Sequence, residues 1–145
     1  MSIPFRLLIP REHYGAMVVQ AKAELPNECC GLLAGGVDDL KVGRVRERYP
    51  LVNNAASPKE YLANDRTLFD AHRDMRTRGL DLLAIYHSHP VSDPVPSKTD
   101  IERNYFDEVM HLIISLKTGE AVMRGWWLGE GEYREAEWEA ATTEL

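Results

Sequence analysis

Two histidines separated by one residue are the first side chains in this sequence whose type and spacing could do chemistry. His87 and His89 follow a continuous apolar run, Leu82 to Tyr86, that predicts a strand. Side chains two residues apart in a strand point to the same face, so both imidazoles can reach one metal ion. Taken alone, the pair is equally consistent with two ordinary structural histidines.

A carboxylate is the third candidate ligand. Asp100 lies eleven residues after His89, beyond a loop that Pro94 and Pro96 make stiff, and Ser97 is a natural N-cap for a short helix to about Phe106. The simplest interpretation of Ser97 and Asp100 is helix capping. Two imidazoles and a carboxylate, however, leave the fourth position of tetrahedral Zn²⁺ open to water, as in catalytic zinc sites.

A base for that water could come from Glu28, which follows Pro26 and precedes a predicted buried strand, Cys29 to Ala34. A glutamate just past a helix end is usually solvated. Its position alone therefore does not predict a catalytic role.

The combined pattern resembles a known family. Glu28, then His87-Ser88-His89-Pro90, then Ser97 and Asp100 reproduce the JAMM motif, in which a Glu precedes a His-[Ser/Thr]-His-Pro run followed by Ser-x-x-Asp. The segment from Glu28 to Gly35 also resembles the strand that carries the family's catalytic Glu. The similarity extends over most of the chain, from about Leu7 to Leu116.

This resemblance implies an α/β, MPN-like fold of the cytidine-deaminase-like type, a curved mixed β-sheet flanked by helices, forming one domain over residues 1–145. It further implies a zinc metallopeptidase that hydrolyses an amide or isopeptide bond. His87, His89 and Asp100 would bind one Zn²⁺, Glu28 would activate the attacking water, and Ser97 would donate a hydrogen bond to the oxyanion.

Composition agrees with one compact domain. Of 145 residues, 44% are hydrophobic and 28% charged, as in ordinary globular proteins. The net charge of -6, with scattered Lys and Arg, argues against a nucleic-acid partner. No apolar run is long enough to span a membrane, so we expect a cytoplasmic protein. The adjacent Cys29 and Cys30 cannot staple distant segments, and we interpret them as buried strand residues in a reducing compartment.

Periodicity and turn signals predict the remaining elements. Asp65 is the expected N-cap of a helix ending before Gly79, with Leu68, Phe69, His72 and Met75 on its buried face. Trp126, Trp127 and Trp138 are predicted to pack in the core or at an edge, and neither His13 nor His111 is assigned a role. The predicted strands are 5–9, 29–34, 41–49, 82–86, 111–116, 121–128 and 132–138, and the predicted helices are 11–25, 66–78 and 97–106.

Other zinc signatures do not fit. The sequence has no His-Glu-x-x-His helix, and Cys29-Cys30 lacks the Cys-x-x-Cys spacing of nucleobase deaminases. A Ser or Cys nucleophile paired with a distant His stays open at this stage.

Only 58 residues separate Glu28 from His87, and predicted elements already occupy them. The chain therefore resembles compact, stand-alone prokaryotic members that act on ubiquitin-like sulfur-carrier proteins and remove a C-terminal cysteine or short extension after Gly-Gly. Two alternatives remain: a metallopeptidase for other peptides, of cell-wall or phage-tail type, and a non-catalytic MPN binding scaffold. The complete ligand set argues against the scaffold, and the oligomeric state is not predicted.

Overall fold

The computed structural model describes residues 4–104 and 108–141. Within them lie eight strands and three helices. In chain order these are β1 (Arg6–Pro10), α1 (Arg11–Ala23), β2 (Cys30–Val37), β3 (Val42–Leu51), α2 (Asp65–Arg78), β4 (Asp81–His89), α3 (Lys98–Glu102), β5 (Met110–Ser115), β6 (Val122–Gly129), β7 (Glu132–Ala136) and β8 (Trp138–Ala141).

All eight strands join one mixed sheet in the order β7-β6-β5-β4-β2-β3-β1-β8. The pairs β4–β5, β1–β3 and β1–β8 are parallel, and the remaining neighbours are antiparallel. The predicted α/β fold class, a curved mixed sheet with flanking helices, is confirmed.

The sheet curls until its two ends approach each other. Phe5, next to β1, packs edge-to-face against Trp127 of β6 with ring centroids 5.0 Å apart. A Cβ added to Gly125 of β6 would lie 3.2 Å from the Trp138 ring of β8. The concave face packs around α1, whose Met17 and Ala21 belong to the main core cluster.

The opposite face of the sheet carries α2. Asn64, not Asp65 as predicted, is the N-cap, because its side chain accepts a hydrogen bond from the Thr67 backbone. Gly79 ends the helix in the left-handed conformation, as predicted. Met75 is buried against the sheet, but the predicted core residue Phe69 points to solvent and is 57% exposed.

Other boundaries differ from the prediction. The predicted strand 132–138 is two strands on opposite edges of the sheet, separated at Glu137, whose carbonyl accepts a hydrogen bond from Leu7. Helix α1 ends at Ala23 instead of Leu25, and α3 ends at Glu102, while the predicted end at Phe106 lies outside the described residues. Burial of Trp126 and Trp127 confirms their predicted packing role.

No helix in the described ranges combines the length and hydropathy needed to cross a bilayer.

Candidate metal centre

The pairing of β2 with β4 brings the candidate base beside the histidines. Cys30 pairs with His87 in antiparallel register. Continued by two residues, that register places Glu28 opposite His89, on the same face, because side chains alternate along both strands. Ser88 points to the other face, where its hydroxyl accepts a 2.8 Å hydrogen bond from the Cys29 backbone and fixes this register.

Three potential ligand atoms converge at the end of β4. The Nε2 atoms of His87 and His89 are 3.1 Å apart, and Oδ2 of Asp100 lies 3.2 Å and 3.3 Å from them. Both histidines are buried, at 2% and 4% exposure. Tetrahedral zinc with bonds of about 2.0–2.1 Å would separate its ligand atoms by about 3.3 Å. The donor set therefore fits the ion that the sequence predicts.

The hydrogen bonds around the triad of His87, His89 and Asp100 favour metal binding through the Nε2 atoms of the two histidines. Nδ1 of His89 is 2.8 Å from the Asp93 carbonyl, so Nδ1 carries the proton and Nε2 presents its lone pair to the centre. Nδ1 of His87 is buried and has no hydrogen-bond partner in the described part of the chain. Without a cation, two imidazole nitrogens and a carboxylate oxygen would crowd together with few protons between them.

A reciprocal capping box holds Asp100 in place. Its Oδ2 accepts a 2.8 Å hydrogen bond from the Ser97 backbone, and the Ser97 hydroxyl accepts one of 3.0 Å from the Asp100 backbone. Burial raises the Asp100 pKa, but the adjacent His87 and His89 outweigh burial and lower it well below the usual range. The predicted cap is therefore present, and the carboxylate oxygen that completes it, Oδ2, is also the one that faces the two imidazoles.

The loop between β4 and α3 is anchored from below by neighbouring strands. The hydroxyl of Ser115 donates to the Ser92 carbonyl at 2.6 Å, and the indole of Trp126 donates to the Pro94 carbonyl at 2.9 Å. These contacts direct the chain from His89 back to Asp100.

Glu28 is a buried carboxylate, 3% exposed, just before β2. Its backbone nitrogen donates to the Ser57 carbonyl, and its own carbonyl accepts from the Asn53 amide. Oε1 has no hydrogen-bond partner among the residues that the structure describes. Burial raises the Glu28 pKa to about 8, with His89 lowering it and Asp100 raising it further. Such a group is suited to accept a proton.

A cavity of about 480 Å³ opens beside the triad, between α2, α3 and the sheet. Tyr61, from the β3–α2 connection, forms part of its wall and packs its ring on His87, with centroids 4.9 Å apart. His72 and His111, which the sequence left without a role in chemistry, also line it. The remaining lining residues are Cys30, Leu32, Leu51, Glu60, Leu62, Ala63, Asp65, Leu68, Leu82, Ile85, His87, Thr99, Asp100 and Arg103.

The family model described as prokaryotic homologs of the JAB domain matches residues 10–129. The chain belongs to this family. The JAMM-type resemblance read from Glu28, the His-Ser-His-Pro run and Asp100 is thereby confirmed. JAB-family proteins are typically metal-dependent, in agreement with the His87, His89 and Asp100 group.

Relatives of this chain include proteins named as peptidases and desampylases. A desampylase of Haloferax volcanii is 38% identical over 96 residues, which cover 66% of this chain and 67% of that protein. The CysO-cysteine peptidase of Mycobacterium tuberculosis is 29% identical over 113 residues, 77% of this chain and 74% of that protein. The solution structure of a Desulfitobacterium hafniense protein superimposes with a TM-score of 0.84 at 29% identity, over 95% and 94% of the two chains.

All the residues named from the JAB-family motif lie together in the structure. No sequence pattern, however, indicated that the β3–α2 connection would also reach the site. Tyr61 and Asn53 are remote in sequence from every motif residue and reach the site only because that connection folds over the end of β2. The buried Cys29 and Cys30 are free thiols. Burial raises their pKa values to about 11 and about 12, which makes them poor nucleophiles at neutral pH.

Proposed function

We propose that this protein is a zinc-dependent peptidase that hydrolyses an amide bond at the C-terminal tail of a ubiquitin-like or sulfur-carrier protein. The observation that carries the proposal is the convergence of two imidazole Nε2 atoms and the Asp100 carboxylate, with the buried Glu28 on the same face of the sheet. The relatives' action on ubiquitin-like and sulfur-carrier proteins supports the substrate class.

His87, His89 and Asp100 would hold one zinc ion. Bound there, zinc would supply a Lewis acid that polarises the scissile carbonyl and lowers the pKa of water. Because both histidines are buried, water would screen these electrostatic interactions less than at the surface.

Glu28 is the proposed general base. At its raised pKa of about 8 the isolated carboxyl would be largely protonated at pH 7, and a neighbouring cation would lower that pKa and favour the carboxylate. The carboxylate then takes a proton from the attacking water, and the resulting carboxylic acid gives it to the leaving amine.

Ser97 is the proposed oxyanion donor. Its oxygen accepts from the Asp100 backbone, which fixes the side chain and leaves the hydroxyl hydrogen to point elsewhere. One such donor contributes about 3 kcal/mol to transition-state stabilisation.

The test uses a sulfur-carrier protein with a Gly-Gly-Cys tail, incubated with zinc-loaded protein and followed by intact-mass spectrometry. We expect loss of the terminal cysteine, and loss of that activity by at least about a hundredfold in Glu28→Gln. Glu130→Gln, the same change at an exposed turn, is the matched control and should cleave like the parent.

Cleavage at the parental rate by Glu28→Gln would refute the assigned base. If the parent binds one zinc but leaves the tail intact, the substrate class is wrong and other peptides become the candidates. A protein that binds no zinc and holds a partner tightly would instead be a scaffold.

A further inference from the structure

One positively charged side chain, that of Arg103, lines the cavity beside the triad. Arg103 is the only Lys or Arg among the residues found to line it, where the other charged groups are Glu60, Asp65 and Asp100. It directly follows α3, and its backbone still makes the helical hydrogen bond to the Thr99 carbonyl at 2.9 Å. Arg103 is therefore about one helical turn beyond Asp100 and lines the same cavity.

The guanidinium of Arg103 already faces a carboxylate, but loosely. Its Nη1 donates a 3.2 Å hydrogen bond to the Tyr61 carbonyl, while Nη2 is 3.6 Å from Oε2 of Glu60, beyond hydrogen-bond distance. The side chains of Arg103 and Glu60 are each 45% exposed. Exposed ion pairs of this kind contribute little to stability. A better placed carboxylate can therefore replace Glu60 at small cost.

The bond to the Tyr61 carbonyl also sets where the guanidinium lies. The Tyr61 ring packs against His87 with the two ring planes tilted by 31°, so Tyr61 contacts the triad through its side chain and Arg103 through its backbone. In a substrate that ends one residue after the scissile bond, the terminal carboxylate is two bonds from the scissile nitrogen. Whatever binds that carboxylate must therefore lie near the scissile bond, and Tyr61 connects Arg103 to one of the proposed ligands, His87.

We propose that Arg103 binds the free α-carboxylate of the residue that is cleaved off, and that this residue's side chain enters the cavity. This inference rests on the proposed function and specifies its substrate: a tail that ends one residue beyond the scissile bond, as in Gly-Gly-Cys. A planar guanidinium binds a carboxylate through two parallel hydrogen bonds, which gives both strength and orientation. A lysine-linked isopeptide has no carboxylate near its scissile nitrogen and gains nothing from Arg103.

The cavity provides the space that this arrangement needs. Its volume of about 480 Å³ lies within the ordinary range of small-ligand pockets, and Leu32, Leu68, Leu82 and Ile85 give it apolar walls. A cysteine side chain fits easily, and so do larger apolar side chains. Specificity on this side of the bond then comes from the terminal carboxylate more than from the side chain.

The test compares two forms of one sulfur-carrier protein, made by semisynthesis with a Gly-Gly-Cys tail that ends in a free carboxylate or in an amide. We expect the parent to cleave the acid about ten- to a hundredfold faster than the amide, measured as kcat/KM. In Arg103→Gln, cleavage of the acid should fall to the rate of the amide, while the rate of the amide stays within about twofold.

Lys98→Gln is the matched control, because it removes a cation from α3, the helix that Arg103 directly follows, at a side chain that is 89% exposed. It should retain the preference for the acid. A purely structural role for Arg103 would lower both rates together and would overturn the proposal, and zinc content and melting temperature of each variant show whether the fold is kept. Equal rates for acid and amide in the parent would refute carboxylate recognition and leave the peptidase function standing. If the parent cleaves neither form, both carboxylate recognition and the proposed peptidase function are refuted.

Discussion

Two polar clusters lie on opposite sides of the β2–β4 pair, and they differ in how completely their hydrogen bonds are made. On the α1 side, the hydroxyl of Tyr86 donates to Gln20, which also donates to the Cys30 carbonyl, while Arg48 donates to both Tyr86 and Gln20. Every one of these three side chains is hydrogen-bonded within the cluster.

The second cluster, Glu28 with the three proposed ligands, leaves buried polar atoms without partners in the described chain, at Oε1 of Glu28 and Nδ1 of His87. Buried polar groups in folded proteins are nearly always paired, and each exception needs a reason. The first cluster stabilises the fold, whereas the unpaired atoms of the second are consistent with the proposed binding of an ion and a substrate.

Substitutions in the second cluster should therefore have the largest effect on activity. Asp100→Asn keeps an oxygen for the hydrogen bond from Ser97 but removes the negative charge that attracts a cation. We expect zinc content, measured by mass spectrometry of the metal, to fall well below one per chain, and cleavage to fall at least about a hundredfold. Asp70→Asn, on an exposed face of α2, is the control. Full zinc content in Asp100→Asn would erase the distinction between the two clusters.

The Glu28 carboxyl should make the stability of the metal-free protein depend on pH. Its pKa is about 8 in the folded state and near 4.5 when unfolded, so between these values the folded state binds the extra proton. Stability from this group is therefore present at low pH and lost as pH rises from 5 to 8.

Denaturant unfolding of parent and Glu28→Gln at several pH values measures this loss. The parent should lose about 1–3 kcal/mol more than the variant over that range. Zinc should reduce the difference, because a nearby cation lowers the pKa of the carboxyl. Parallel pH curves for the two proteins would show that Glu28 is not the buried acid described here.

Substitutions in the first cluster should have the smallest effect, and that effect should be confined to stability. Tyr86→Phe removes the hydroxyl shared with Gln20 and Arg48, and we expect a loss of about 1–2 kcal/mol in the free energy of unfolding. Cleavage should stay within about twofold of the parent. Tyr133→Phe, at a side chain 45% exposed, should change stability by less than about 0.5 kcal/mol. A large loss of activity in Tyr86→Phe would mean that both clusters serve the reaction.

The structure also shows why one glycine is needed between these clusters. The Tyr86 ring lies across Gly31, and a Cβ there would come within 2.1 Å of it. The first cluster can form only because position 31 has no side chain. Gly31 lies in β2, the strand that begins just after Glu28 of the second cluster.

Local sequence predicted the parts of the site that depend on periodicity. His87 and His89 share a face because strand side chains alternate, and Ser97 with Asp100 forms a cap because short polar side chains at a helix start satisfy free backbone groups. Of two failures, one has a local cause and the other a long-range cause. Asn64 and Asp65 are both good caps, so composition could not choose between them, and the break at Glu137 depends on pairing with β1, which is more than a hundred residues away.

The candidate chemical groups of this protein can be read along the chain: two imidazoles, two carboxylates and a serine at the spacing of one family's motif. The residues that surround these groups depend on long-range packing. Tyr61 and Arg103 are 42 residues apart and meet through one hydrogen bond, and the cavity that they border exists only where α2, α3 and the sheet come together. Alternation and capping act over a few neighbouring residues and can be read along the chain. The shape and charge of a cavity depend on long-range packing, which no local pattern records.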